Sequence, residues 1–418
     1  MKTFIKGDLY MHFERDLIIK LAEKYGTPLY VYSEAVLRER CREMKNLLPG
    51  ENVRINYSAK ANTNLDLLKI IKDEGLDVDA MSPGEIYIEQ LAGFENDRIF
   101  FIPNNVSEEE MKFAIERDIL TSVDSLSQLE MFGKINPGGK VAVRFNPGIG
   151  AGHHEKVVTA GEKTKFGVQM DFIPQVKDIL KKYNLKLVGI NQHMGSLFLD
   201  WHIYIEGVKS FLTIAKEFPE LEFVDIGGGF GVPYKPDEER LDLSRLAKEL
   251  EIVIDRFIEQ HPNKDIIIKM EPGRYIVAEC GVLLGTVHSV KQNYGTTYIG
   301  TDIGFNVLVR PVMYDSYHEV AIIKKNNDDG TEEELVTVVG NICESGDILA
   351  KDRMLPKSEP GDIITVFNAG AYSYCMSSNY NSRLRPAEVL IDLEGKDRLI
   401  RKRDTLESLT QNFILDQD

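Results

Sequence analysis

Asn56-Tyr57-Ser58-Ala59-Lys60-Ala61-Asn62 continues the β-branched and aromatic run Val53-Arg54-Ile55 and places a lysine where that strand should end. Ser58, Ala59 and Ala61 are small, so a flat ligand could approach the stem of Lys60. An enclosed lysine gives up some proton affinity and becomes a usable nucleophile. Taken alone, the heptapeptide reads equally well as a surface lysine after a strand. The pattern on either side of it separates the two readings.

Working outward, the chain repeats a short apolar strand, a polar turn and an amphipathic helix up to about residue 281. Eight strands are predicted, ending near Lys60, Ser82, Asn104, Asp124, Asn146, His193, Gly227 and Glu271. Eight such cycles within roughly 250 residues are the measure of a (β/α)8 barrel. A doubly wound open sheet is the structural competitor. The unusual residues decide between them, because Lys60, Ser82, Asn104, Asp124, Asn146, His193, Gly227 to Gly229 and Glu271 all fall at strand C-termini. That is the face on which such barrels build their sites.

Before the first cycle, residues 9 to 25 carry a helical pattern stopped by Gly26-Thr27-Pro28, and Leu29-Tyr30-Val31-Tyr32 reads as a strand with Ser33 capping the next helix. After residue 281 the helical period largely disappears. Val282–Val290, Thr297–Thr301, Glu319–Ile323, Leu335–Val339 and Asp362–Val366 read as strands, with Lys325–Gly330 as an exposed turn. This predicts a second, all-β domain of sandwich or barrel type. From about residue 403 the chain is charged and reads as a helix or a loose tail.

The 418 residues carry 66 acidic and 50 basic side chains, a formal charge of −16 with no long basic run. Nucleic acid and anionic membranes, which are bound through clustered positive charge, are not expected as partners. No stretch has the apolar length of a signal peptide or a membrane span, which points to the cytoplasm. Cys41, Cys280, Cys343 and Cys375 lack metal-ligand or disulfide spacing, so no metal is expected.

Three further stretches carry chemistry. Gly227-Gly228-Gly229-Phe230-Gly231 can converge backbone N–H groups on a phosphate, although a glycine cluster after a strand also makes tight turns, and its spacing is not that of a dinucleotide site. Glu271-Pro272-Gly273-Arg274 offers a carboxylate for a heteroaromatic nitrogen and a guanidinium for an anion, or else a structural ion pair. His193 can lie flat on a ring and Ser196 can bond a phosphate oxygen. Together they describe a ligand with an aldehyde, a pyridine ring and a phosphate, which is pyridoxal 5′-phosphate.

The motifs Tyr57–Asn62, Ser82–Glu85, His193–Ser196, Gly227–Gly231, Glu271–Arg274, Arg310–Tyr314, Cys343–Asp347 and Gly370–Tyr372 resemble those of the alanine-racemase-fold decarboxylases that use pyridoxal phosphate, in their diaminopimelate-decarboxylase branch. The resemblance runs over almost the whole chain. It implies a pyridoxal-phosphate-binding barrel over about 30–281, with 1–29 and 282–418 forming the β domain. By the same resemblance, Lys60 binds the cofactor's aldehyde, His193 stacks on the ring and Glu271 meets its nitrogen. Ser196, Gly227, Gly228, Gly229, Gly273 and Arg274 surround the phosphate. Arg274, Arg310 and Tyr314 resemble binders of substrate carboxylates, Glu344 the binder of a distal ammonium, and Tyr372 a residue touching cofactor and substrate. Cys343 resembles a proton donor supplied by the other subunit of a homodimer. Beside Glu344 and Asp347, with no cation adjacent in sequence, its thiol should stay protonated. The residues Met376–Pro386 also match the family and should frame the same mouth.

The implied reaction is decarboxylation of meso-2,6-diaminopimelate to L-lysine. The same chemistry on lysine, ornithine or a carrier-bound glutamyl group, or a homologue that binds the cofactor without catalysis, are the alternatives. Two positions depart from the family pattern: Leu197 stands where many members have glutamine, and Val106 follows Asn104-Asn105 where a lysine is common.

Overall fold

The computed structural model describes residues 13–148, 164–325 and 332–414. These divide into two compact units: one holds the residues through Leu37, Tyr234–Glu238 and those from Val277 onward, the other Arg38–Pro233 and Glu239–Ile276. The first strand, β1 (Leu29–Ser33), pairs on both sides within the first unit, so the boundary expected at residue 30 would cut through it.

The second unit is a closed parallel barrel. Its strands are β2 (Val53–Ser58), β3 (Asp77–Ala80), β4 (Ile99–Phe101), β5 (Leu120–Val123), β6 (Lys140–Asn146), a two-residue β7 (Val168–Gln169) beside β6, β8 (Lys186–Asn191), β9 (Phe223–Asp225) and β10 (Ile267–Met270). Neighbours pair in the order β5-β4-β3-β2-β10-β9-β8-β6, and pairing of Ser122 and Val123 with Ala142 and Val143 closes the ring. The eight predicted barrel strands are all present, and the open-sheet alternative is excluded by this closure.

The helices follow the same rhythm: α1 (Arg15–Tyr25) and α2 (Glu34–Lys45) precede β2, then come α3 (Leu65–Asp73), α4 (Pro83–Ala92), α5 (Glu108–Ile115), α6 (Leu126–Ile135), α7 (Ile173–Lys182), α8 (Trp201–Ala215) and α9 (Leu243–Gln260). Short polar side chains start them, as Ser33 does for α2, Asn64 for α3, Ser82 for α4, Ser107 for α5 and Ser125 for α6. The Ser82-Pro83-Gly84-Glu85 motif is thus the cap of α4. Ser82 Oγ accepts from Glu85 N, and Met81 N donates to Glu85 Oε2.

Alternation along the strands sorts the barrel interior into layers. The lower layer is apolar, with Phe100, Ala142, Phe223, Leu120 and Ile267 in one cluster. The Phe223 ring occupies space that a side chain on Gly189 would fill, since a Cβ there would lie 2.0 Å from it. Two residues further along, the inward positions turn polar on most of the strands, at Asp79, Ser122, Arg144, Asn191, Asp225 and Lys269, while β4 stays apolar through Ile102.

The first unit is a nine-stranded mixed sheet of β1 with β11 (Gly281–Asn293), β12 (Thr296–Thr301), β13 (Val320–Ile323), β14 (Glu333–Val339), β15 (Ile348–Pro356), β16 (Ile363–Val366), β17 (Ala387–Ile391) and β18 (Asp397–Arg401). The first half of β11 lies between β1 and β16, and its second half pairs with β12 after a bulge at Val287–Ser289. The two leaves sharing β11 fit the sandwich or barrel expectation. The apolar face of α1 covers the sheet through Ile18 and Leu21, packed with Val31, Leu284, Val389 and Ile391. Beyond residue 403 the described residues form only a short 3-10 turn at Glu407–Leu409. Residues 9–12 of the expected first helix, and most of the expected Lys325–Gly330 turn, lie outside the described residues.

One residue breaks the apolar face of α4. Glu89 is fully buried between Ile86 and Ala92, and neither of its oxygens has a hydrogen-bond partner. Burial, with Asp79 and Glu85 nearby, pushes its carboxyl up to about 10. A carboxyl raised in the folded state contributes stability below its unfolded value of about 4.3 and loses it as pH rises toward the folded value. Replacing Glu89 with methionine should therefore stabilise the protein by an amount that is near zero at pH 4.5 and grows by up to about 1.4 kcal/mol per pH unit up to pH 8. Denaturant unfolding of both proteins across that range checks it; a difference independent of pH would contradict the assignment.

Candidate active site

The barrel mouth is assembled by short backbone links between strand ends. Ser58 N donates to Pro272 O at 3.1 Å, and Ser58 Oγ donates to Asp79 Oδ2 at 2.7 Å. Lys60 follows in a single 3-10 turn, Ala59–Ala61, whose two alanines are fully buried, so the lysine leaves the backbone from a fixed point. Tyr57 Oη braces the turn by donating to Asn62 O at 2.9 Å.

Across the mouth, Glu271 N donates to Gly227 O at 3.0 Å. This contact needs the glycine run. A Cβ on Gly228 would lie 1.8 Å from Glu271 O, and one on Gly227 would lie 2.3 Å from Gln192 O. Gly227 and Gly229 also sit at φ of 78° and 105°, where L side chains are strained. Ser196 Oγ accepts from Arg274 Nε at 3.2 Å and from Nη2 at 3.0 Å, which joins the ends of β8 and β10. The departure at Leu197 follows directly, in a left-handed conformation at φ 71°.

The electrostatics are dominated by burial. The carboxyls of Asp225 and Glu271 are hydrogen-bonding neighbours, and burial raises both, Glu271 more strongly because Asp225 faces it. Asp225 Oδ1 accepts from Gly227 N, while Asp225 Oδ2 and Glu271 Oε1 are buried and take no donor among the described residues. Burial, reinforced by the positive charges of Lys60 and Arg144, holds His193 well below the usual histidine range and therefore neutral. Arg144 is itself buried, stacks over the Phe166 ring at 4.7 Å and faces Glu271, Asp124, Asp79 and Asp225.

The structure thus brings Lys60, His193, Ser196, Gly227 to Gly229, Glu271, Gly273 and Arg274 to one end of the barrel. Three observations fit pyridoxal phosphate there. The N–H groups of Gly228, Gly229 and Gly273 donate to no group of the described residues and are available to a phosphate. Glu271 is a buried carboxyl with an unused oxygen, suited to a ring nitrogen. Lys60 supplies a primary amine between small buried neighbours. Arg144, Asp79 and Asp225 also belong to this group but are not identified from the sequence. Their signal was available in the inward alternation of Arg144 within Val141-Ala142-Val143-Arg144 and of Asp225 two residues before the glycines.

The remaining predicted residues lie in the mixed-sheet unit. Arg310 is 2% exposed, with its guanidinium 4.7 Å over the Tyr234 ring and Nη1 2.8 Å from His318 Nε2. His318 Nδ1 donates to Phe367 O, which leaves Nε2 as the acceptor for Arg310. Tyr314 ends the same one-turn helix, Arg310–Tyr314. Tyr372 is half-buried at φ 54°. Cys343 and Glu344 are exposed on a loop stapled by Asp347, whose carboxylate accepts from Ile342 N and Phe305 N. Asn381 Oδ1 accepts from Cys343 N, and Tyr380 Oη donates to Glu344, so the Met376–Pro386 segment holds this loop. Cys41 and Cys280 are buried, and burial raises the Cys41 thiol to about 12. Among the described residues no cluster could hold a metal ion, and no helix is long and apolar enough to cross a membrane.

Comparison with known proteins agrees with this chemistry. Residues 34–278 match the family model of the pyridoxal-binding domain of pyridoxal-dependent decarboxylases. Diaminopimelate decarboxylase of Methanothermobacter thermautotrophicus is 42% identical over 399 residues, covering 94% of this chain and 92% of that protein. A crystal structure of a diaminopimelate decarboxylase superposes with a TM-score of 0.89 at 32% identity, over 98% of this chain and 100% of that one. The Helicobacter pylori diaminopimelate decarboxylase, solved in complex with L-lysine, gives 0.86 at 33% identity, over 94% and 98%. On a family model spanning most of the barrel and relatives similar over nearly their whole length, the chain belongs to the diaminopimelate decarboxylase family of pyridoxal-dependent decarboxylases.

Proposed function

We propose that the protein removes carbon dioxide from meso-2,6-diaminopimelate to give L-lysine, using pyridoxal phosphate held at the barrel mouth. The observation that carries the chemistry is the convergence of Lys60, neutral His193 and the Asp225–Glu271 pair around unused glycine N–H groups. The substrate rests on relatives named for it and on the L-lysine bound in the Helicobacter pylori protein.

Bound pyridoxal phosphate supplies an electron sink for the bond that breaks. The chain's own residues do the rest. Lys60 holds the cofactor's aldehyde carbon through its amine. Gly228, Gly229 and Gly273 donate N–H groups to the phosphate, with Ser196 and Arg274 beside them. His193, being uncharged, offers an aromatic face to the ring. Glu271 sets the proton on the ring nitrogen.

Arg274, Arg310 and Tyr314 bind the two substrate carboxylates, Glu344 binds the distal ammonium, and Tyr372 contacts both molecules. A substrate with one carboxylate would leave one of the arginines unmatched. Cys343 delivers a proton from Sγ to the carbon that has lost carbon dioxide. This is general-acid work suited to an exposed thiol on a stapled loop. Cys343 and Glu344 come from the second copy in a homodimer. The acidic excess of the sequence, with no disulfide spacing among its four cysteines, suits the cytoplasm.

Carbon dioxide release from meso-diaminopimelate, L-lysine and L-ornithine, with pyridoxal phosphate added, tests the assignment. Release is expected from diaminopimelate alone; release from either of the others instead would move the substrate. Lys60→Ala should lose both turnover and the visible absorbance of lysine-bound cofactor. Cys343→Ala should keep that absorbance and lose about 100-fold or more in kcat. Glu344→Gln should raise KM for diaminopimelate by about 10- to 100-fold, the worth of a hydrogen bond to a charged group. An unchanged KM would remove Glu344 from the ammonium site.

A further inference from the structure

Lys269 is a cation placed inside the barrel, one layer below the mouth. On β10 it follows Ile267 on the inward face and precedes Glu271 by two residues. Its register partner on β9 is Asp225, so the two side chains leave neighbouring strands side by side. Among the described residues its ammonium makes no hydrogen bond or ion pair, while its carbonyl accepts from Ile226 N. Its ammonium lies instead over the rings of Phe100 and Phe223, at 4.9 Å and 4.5 Å from their centroids. Those rings meet edge to face at 5.4 Å and form two walls of a cation site.

A half-buried lysine with aromatic walls and no bonded carboxylate does not act as a structural ion pair. What its position controls is the charge of the carboxyl pair above it. Asp225 and Glu271 are buried together, and two ionised carboxylates at that separation would repel strongly. The groups facing the pair are Asp79 from β3, Arg144 from β6, Lys60 after β2, the Tyr204 hydroxyl from α8, and Lys269. Lys269 is itself faced by Asp225, Asp77, Glu271 and Arg54.

We propose that Lys269 is a positioning residue whose caged ammonium keeps the Asp225–Glu271 pair at one proton, with Asp225 as the ionised member. The proton that remains sits on Glu271, where the ring nitrogen of the cofactor is to be met. The consequence for the loaded enzyme rests on that reading of Glu271; the protonation of the pair does not.

The direction of the effect is fixed. Burial raises Asp225 to about 6, and the ammonium of Lys269 opposes that rise. Because the folded value lies above the unfolded one of about 3.9, stability from protonated Asp225 is full below that pH and is lost as pH rises through about 6. Removing Lys269 must move this loss to higher pH.

The test is thermal unfolding of the cofactor-free protein from pH 4.5 to 8.5, together with the pH profile of kcat/KM for the loaded enzyme. In Lys269→Met the fall in unfolding midpoint should begin at the same pH but continue at least about one pH unit higher before it levels off, a tenfold change in proton affinity. Lys269→Arg should restore the original position. On an Asp225→Asn background the same Lys269→Met change should move nothing. Where methionine prevents folding, Lys269→Gln carries the same expectation. A variant destabilised equally at every pH, with the fall unmoved, would show that Lys269 only packs and would overturn the proposal. A shift in the cofactor-free protein with an unchanged kcat/KM profile would uphold Lys269 and remove Glu271 from the ring nitrogen.

Discussion

Glu271 hangs by its own amide from the carbonyl of Gly227, and a side chain on Gly228 would come within 1.8 Å of the Glu271 carbonyl. Most of the barrel mouth depends on that close approach of β9 and β10. It brings the Glu271 carboxyl beside Asp225, places Pro272 where Ser58 can donate to it, and so fixes the end of β2 from which Lys60 departs. The glycines therefore have two separate uses. Gly227 and Gly228 let strands meet, while the N–H groups of Gly228 and Gly229 remain available to a bound anion. An alanine in this run would disturb strand packing before it disturbed any phosphate.

Once the strands are that close, the barrel interior has an electrostatic problem. Asp79, Asp225, Glu271 and Arg144 are buried together, with half-buried Lys269 two residues before Glu271 on β10. Burial and mutual repulsion push the carboxyls up, burial lowers the affinity of Arg144 and Lys269 for their protons, and His193 is left neutral. Each shift suppresses charge, which is the cheaper solution in a medium of low polarity. The site consequently stores protons on carboxyls and keeps an uncharged imidazole face. Both properties are what a charged, flat heteroaromatic ligand requires of its pocket.

Much of this was legible in the sequence, and the omissions have separate causes. Every barrel strand was found because each ends in a small or polar residue that the apolar run before it makes conspicuous. Reading only strand ends passed over residues two positions earlier on the inward face. Arg144, Asp225 and Lys269 each interrupt an otherwise β-branched stretch, and period-two alternation from Ala142, Phe223 and Ile267 points them inward. In the mixed-sheet unit β17 was also passed over, and β15 and β18 were missed for a different reason. Ile348–Pro356 and Asp397–Arg401 carry charges at alternate or adjacent positions, as exposed edge strands do, so their hydrophobic signal is weak. Glu89 was invisible because a glutamate on a helix is presumed to face water. Only the buried Ile86 and Ala92 on either side show that it does not.

The two kinds of proton donor proposed for this chain differ in their surroundings. The carboxyls of the barrel interior favour the protonated form because burial makes ionisation costly. Cys343 lies on an exposed loop whose shape is set by Asp347 and Asn381 rather than by a hydrophobic core. A buried carboxyl suits a proton that must stay on a ring nitrogen throughout turnover, since leaving would require charging the core. A thiol on a solvent-facing loop suits a proton that must be delivered once and then replaced from water. The division follows from burial alone, and it makes Glu271 and Cys343 non-interchangeable although both are weak acids.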